Sequence, residues 1–371
     1  MLFRSGEKAK LHRIRALRSF GDVAKGDLGG FVESEKNLKH TGDCWIYDDA
    51  KVMGQSVVRD DAAVSCNATL LSAVVVGDNA RVGGNTKLTG TTRVVESAEV
   101  MGFAEIESSL KQDYYSEISG RARIADQAKI HCANVTMDAT VCGKATVSGK
   151  SLVSGSARVE GDATVLDSKI WGDARVSGNA TVEWDSVVSG NASIEDDAAI
   201  TDHASIGDKA VVSDSAQVTG GRVEGRAKVS DDAKILDSAR VWADAEVSQN
   251  ATVKENAVVG YSAKVFGEAT IKGNAKLIDY VKVYGKATIA GEAVLSGAAQ
   301  VRGNAIVDGK ANIEAGAIIC DNRHISSGRV SLTPEKANTP LPSNPQSSTA
   351  AKEPAPIVRA GDEDAPESLF F

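Results

Sequence analysis

The chain has 371 residues, only 5% of them aromatic, with 35 glycines and a formal net charge of −8. A large globular core leans on bulky side chains, so this composition points to many thin, similar layers instead. The negative balance argues against a chain-wide nucleic-acid surface. Five cysteines (Cys44, Cys66, Cys132, Cys142 and Cys320) without a C-x-x-C pair argue against a disulfide framework or a zinc knuckle.

Residues 1–43 carry no repeat and are expected to form an N-terminal cap, because the first layer of a repeat array would otherwise expose an unpaired edge. They hold no apolar run suited to a signal peptide, and no stretch of the chain suits a membrane span, so a reducing, cytoplasmic setting is expected.

Residues 44–325 are periodic. Stepping by six from Val52, with three one-residue corrections, reaches Ile319 through 46 positions, of which 45 are Val, Ile or Leu and one is Gln112. Two residues before each lies a second column with Ala at 35 of 46 positions. The motif is A-x-[VIL]-x and then two turn residues, as in Gly178–Asn179–Ala180–Thr181–Val182–Glu183. Side chains of A-x-V-x alternate in and out, which is strand periodicity. The turn pair supplies Gly, Asn and Asp, which tolerate positive φ.

A corner every six residues leaves no room for hairpins, so three edges make an 18-residue triangular coil with parallel pairing between coils. Five-residue steps run from Ile130 to Val135, from Val165 to Ile170 and from Val218 to Val223. They are separated by multiples of three rungs, which places all three at one corner. The expected fold is all-β, a parallel β-helix of about 15 three-sided coils and roughly 70 Å. All seven prolines fall after residue 333, and residues 326–371 are expected to be a disordered Pro/Ser-rich acidic tail.

The hexad resembles that of hexapeptide-repeat proteins, in which an aliphatic residue is followed four positions later by a small one, as Val176 is by Ala180. The segments Arg13–Ile14–Arg15–Ala16–Leu17, Gly26–Asp27–Leu28–Gly29–Gly30–Phe31–Val32–Glu33 and Gly42–Asp43–Cys44–Trp45–Ile46–Tyr47 resemble the start of YdcK-like proteins, described as acyltransferases, and of phage-encoded relatives. The resemblance covers about residues 11–325. It implies a left-handed coil and, for activity, acyl transfer from an acyl-CoA donor. Such enzymes use a catalytic histidine and a loop that protrudes from one coil.

The candidate bases are His131, outward on a flat face, and His203, at a corner. They stand about four coils apart, roughly 19 Å, too far to share a metal or a small substrate. No metal site is expected. The stretch Glu107–Glu117 carries Gln112 in the core column and keeps the hexad count, so it reads as no insertion. One face is expected to bear a basic ladder of Lys51, Lys87, Arg123, Arg158, Arg175, Lys228, Lys264 and Lys282. A second carries Thr146, Thr164, Thr181, Thr252, Thr270 and Thr288 without the flat double array of an ice-binding surface. Trp171 and Trp242 share an outward column on the third, and Phe266 stacks with Tyr284 on the basic face; these four are the candidate interface anchors.

These residues favour a non-catalytic scaffold that self-associates into a homo-oligomer, with no cofactor. The terminal run Ser368–Leu369–Phe370–Phe371 behind acidic residues is a candidate docking peptide for a protein partner. The alternative implied by the resemblance is an acyl-CoA-dependent O- or N-acyltransferase, with His131 or His203 as base. A nucleic acid, or a nucleic-acid-binding protein, is a second and less favoured alternative partner.

Overall fold

The computed structural model describes residues 10–109 and 115–331. Among them the strands form three sheets of 18, 16 and 16 strands, parallel except for the first strand, with each strand of the coils paired to the one a coil away. Residues 10–331 thus make an all-β solenoid of about 16 stacked three-sided coils. Most strands are two or three residues long, as a corner every six residues requires.

Each of the three faces has its own display. The threonine face pairs Thr146 with Thr164 and Thr164 with Thr181. The tryptophan face runs through strands Lys169–Ile170 and Arg240–Val241, each followed by its Trp. The arginine face pairs Arg158 with Arg175.

The inner columns are as the hexad predicts. Val52, Val176, Ile235 and Ile289, with Ala50, Ala174, Ala233 and Ala287 beside them, are fully buried. Each coil adds only three aliphatic side chains and three small ones, so stability comes from repetition. Burying one Val or Ile contributes about 1.5–3 kcal/mol.

The corners turn through the left-handed region. Gly and Asp dominate there, with Asp196 at φ 58°, Asp214 at 58° and Asp231 at 59°. These aspartates also form a ladder. Asp214 N donates to Asp196 Oδ2 at 3.3 Å, Asp231 N to Asp214 Oδ2 at 3.2 Å, and Gln249 N to Asp231 Oδ2 at 2.8 Å. An acceptor-only side chain thereby satisfies a corner N–H that no strand partner reaches.

The segment before residue 44 does more than cap. Strand β1 (His12–Arg15) pairs antiparallel with β2 (Leu28–Val32), which pairs parallel with Lys51–Val52. Leu38 bridges to Val58, and Trp45 pairs with Ala63. Residues 28–46 are therefore a complete first coil under a one-strand lid, which raises the coil number above the expected 15. Asn37, fully buried, ties this coil down: its amide donates to the Gly54 and Ser56 carbonyls at 3.1 and 2.8 Å. At the other end Arg329–Ser331 still pairs with Asn312–Glu314, so the solenoid extends past residue 325. The rest of the expected tail, 332–371, lies outside the described residues.

The hexad count misreads one coil. From Lys51 onward partners are elsewhere 17 or 18 residues apart, as Lys51 with Thr69 or Ile130 with Val147, while in the first coil Phe31 stands 20 from Lys51. Thr92, however, pairs with Ser116, Glu99 with Arg123, and Glu105 with Lys129, each 24 residues on. Strand Glu105–Glu107 lies on the threonine face and the next, Ser116–Ile118, on the tryptophan face. A single corner thus spans what was counted as two hexads, so the coil carries a six-residue insertion. Gln112 and Tyr114 themselves lie outside the described residues. The three five-residue steps fall at this same corner, between the threonine and tryptophan faces.

Candidate functional site

The inserted corner has two anchored stems. On the first, Ser108 N donates to the Thr89 carbonyl at 3.2 Å, the hydroxyls of Ser108 and Thr92 lie 3.2 Å apart, and Thr91 Oγ1 donates to the Ser109 carbonyl at 2.6 Å. On the second, Glu117 N donates to Asn134 Oδ1 at 2.9 Å. Tyr115, just before that stem, is exposed.

His131 lies on the coil immediately after the insertion. Its strand Lys129–His131 pairs in register with Glu105–Glu107, so His131 stands beside Glu107 in one outward column. Cys132 N donates to the Glu107 carbonyl at 3.1 Å, which closes the corner beneath the loop stem. On the other side of Glu107 is a shallow cavity of about 300 Å³ lined by Lys87, Thr89, Glu105, Glu107 and Ser108 among others. Lys87, Lys129 and His131 have no ion-pair partner among the described residues. The arrangement thus gathers an exposed imidazole, a neighbouring carboxylate and two ammonium groups without ion-pair partners among the described residues at the stem of the corner enlarged by six residues.

His203 is built differently. It occupies a corner at φ 61°, mostly exposed, with Nδ1 3.2 Å from Asp202 Oδ1 and Nε2 3.9 Å from Asp185 Oδ2. Its backbone N–H donates to the Trp184 carbonyl at 2.9 Å. Four successive strand pairings separate the His131 strand from the one preceding His203, so the two histidines are not brought together. His203 does not line the cavity beside Glu107. The described residues also hold no cluster of three or more His, Cys, Asp or Glu side chains placed for a metal ion.

The expected basic ladder needs correction. Lys51 and Lys87 belong to the threonine face, in register with Thr69 and Glu105. Arg123, Arg158, Arg175, Lys228, Lys264 and Lys282 do line the arginine face, together with Arg81, which sequence reasoning missed. The inserted residues shift every face assignment before them by one, which put the two lysines on the wrong face. Much of the remaining ladder is neutralised: Arg158 and Arg175 share Glu160, and Lys264 meets Glu246 at 2.6 Å.

Trp171 and Trp242 do share the outward column of the tryptophan face, one half-exposed and the other covered. Trp242 lies over Gly260, where a Cβ would sit 2.2 Å from the indole nitrogen. Its ring also meets Tyr261 at 4.7 Å. Phe266 and Tyr284 stack at 4.9 Å with an interplanar angle of 4°. Corner aromatics missed from the sequence are more exposed than these, Trp184 at 57% and Tyr280 at 69%. Their signal was present: a bulky residue in a turn pair cannot face a core of alanines.

Two groups are held protonated by burial. The Cys44 thiol is pushed up to about 11, chiefly by burial and then by Asp60, and the Tyr47 hydroxyl to about 12 by burial and its 2.8 Å hydrogen bond to Asp22. Neither is poised to act as a nucleophile near neutral pH. No helix among the described residues is long and apolar enough to cross a membrane.

The YdcK β-solenoid repeat family matches residues 174–190. The protein named "Uncharacterized acetyltransferase YdcK" of Escherichia coli (strain K12) is 34% identical over 70 residues, 19% of this chain. The matched part spans 22% of that relative's length. A solved structure, described as a "putative acetyltransferase" from Desulfovibrio desulfuricans G20, is 12% identical over 70% of this chain and 67% of that one, with a TM-score of 0.22. The coils and repeats of this chain thus resemble those of the YdcK β-solenoid repeat family, a likeness carried by residues 174–190 and by the 70 residues shared with the Escherichia coli relative.

Proposed function

We propose that the protein is an acyltransferase that moves an acyl group from a CoA thioester to a hydroxyl or amine, with the reaction centred on the enlarged corner. The observation that carries this reading is the six-residue insertion beside His131. The scaffold reading rested on a rod without any such feature.

His131 is the base. Its imidazole takes the acceptor proton as the acceptor oxygen or nitrogen attacks the thioester carbonyl. The carbon–sulfur bond then breaks and the thiolate receives the proton from the imidazolium. Glu107 stands next to it in the same outward column. Lys87 and Lys129 supply cationic partners for the phosphates of the donor, as point charges on the same face. His203 serves no step of this scheme. The name of the Escherichia coli relative supports the reaction class.

Calorimetric titration with acetyl-CoA tests the donor site. Saturable binding is expected, weakened roughly tenfold in Lys87→Glu, the size of one lost charge-assisted contact. Absence of binding at millimolar donor would return the chain to a non-catalytic scaffold. The exposed Trp171, Trp184 and Tyr280 favour that second reading as anchors for self-association.

A further inference from the structure

The solenoid's first coil is only partly lidded. Strand β1 pairs with β2 and covers the threonine-face edge. The tryptophan-face edge at Leu38 and the arginine-face edge at Trp45 carry no further strand among the described residues. Between this lid and the coil lies a cavity of about 400 Å³, within the range that buries a small molecule.

The cavity has two chemically distinct parts. Its floor is apolar: Phe20, Val32, Leu38 and Trp45, with Phe20 and Trp45 edge to face at 5.5 Å. Its rim is cationic, formed by Arg15, Arg18 and Lys39 with His40 nearby, against a single carboxylate, Glu35. Elsewhere many of the solenoid's arginines are neutralised, although Arg81, Arg93 and Arg123 have no ion-pair partner among the described residues. Arg59, Arg121, Arg222, Arg226, Arg240 and Arg329 all meet carboxylates. At this cavity Arg18 meets only the Phe20 ring, at 5.8 Å, and neither Arg15 nor Lys39 has an ion-pair partner among the described residues.

A chain that carries a net charge of −8 thus keeps three unneutralised cations around an apolar recess. We propose that this end cavity binds an amphiphilic anion, an alkyl carboxylate of medium length. Its chain would lie on the Leu38–Trp45 floor and its carboxylate against Arg15 and Lys39. Apolar burial supplies affinity and the paired charge supplies selectivity. The site is at the far side of the first coils from the enlarged corner and does not rest on the acyltransferase reading.

Calorimetry on the full chain with decanoate, and with decyltrimethylammonium as the cation of equal chain length, tests it. Saturable submillimolar binding of decanoate is expected, at least about tenfold tighter than the cation. The double variant Arg15→Glu/Lys39→Glu is expected to lose that preference while its circular dichroism and melting temperature stay unchanged.

Three results would overturn the proposal. One is no saturable binding of decanoate, and a second is equal binding of anion and cation. The last is a fall in solution mass in the double variant with decanoate affinity unchanged, which would mean that a second copy does.

Discussion

Gly84 sits at φ +76°, and a Cβ there would lie 2.4 Å from the Gly102 carbonyl oxygen of the next coil. Both the left-handed backbone and the close approach oppose any side chain. Gly84→Ala is expected to destabilise by about 2–3 kcal/mol, seen as a lower melting temperature with an unchanged circular dichroism spectrum. A second residue-scale prediction concerns Cys44. Its raised pKa means that the neutral thiol is the form the fold favours. This contribution is fully present below the ordinary value of 9.0 and is lost as pH rises towards about 11. Alkylation at pH 8 should therefore modify exposed Cys66 and leave Cys44 untouched. Cys44 should become reactive as the cap loosens above pH 9. Equal rates at pH 8 would contradict the burial argument.

At the scale of elements, the coil is legible in the sequence because its physics is local. A two-residue strand exposes its alternation within four positions, and Ala180 with Val182 announces both core columns. The insertion was illegible for an equally physical reason. Six extra residues leave the hexad phase intact, so every aliphatic rung before and after still falls in step. A signal did exist in the inner small-residue column. Ser56, Thr92, Ser116, Ser151, Ser168 and Ser186 are all buried, and only with the insertion do they stack on one face. There most of their hydroxyls donate to carbonyls of the preceding turn, as Ser151 to Ser148 at 2.7 Å and Ser186 to Glu183 at 2.6 Å. Counting Gln112 as a rung scatters this ladder over two faces.

The register gives a prediction. Deleting residues 109–114 should bring the coil from 24 residues to the 18 of the coil before it and leave the melting temperature within a few degrees. Loss of the folded state would contradict the assignment of this stretch to a corner. The aspartate ladder makes a further one. Asp214→Ala is expected to cost about 1–2 kcal/mol, from a lost hydrogen bond and a strained corner, and Asp214→Gly less, because only the hydrogen bond is lost.

Over the solenoid as a whole, each coil touches only its neighbours, so cooperativity is passed along by nearest-neighbour pairing. Chemistry in such a body is confined to what departs from the repeat. Sequence reasoning placed His131 and the aromatic columns on outward positions, which follow from the period. It could not weigh them, because the feature that distinguishes His131 from His203 is the enlarged corner beside one and not the other. Thiol release from acetyl-CoA, measured across a panel of amine and hydroxyl acceptors, tests the assignment most directly. The account predicts turnover that falls by about 10²–10⁴-fold in His131→Ala and stays unchanged in His203→Ala. Equal turnover in all three proteins, or a loss confined to His203→Ala, would contradict it.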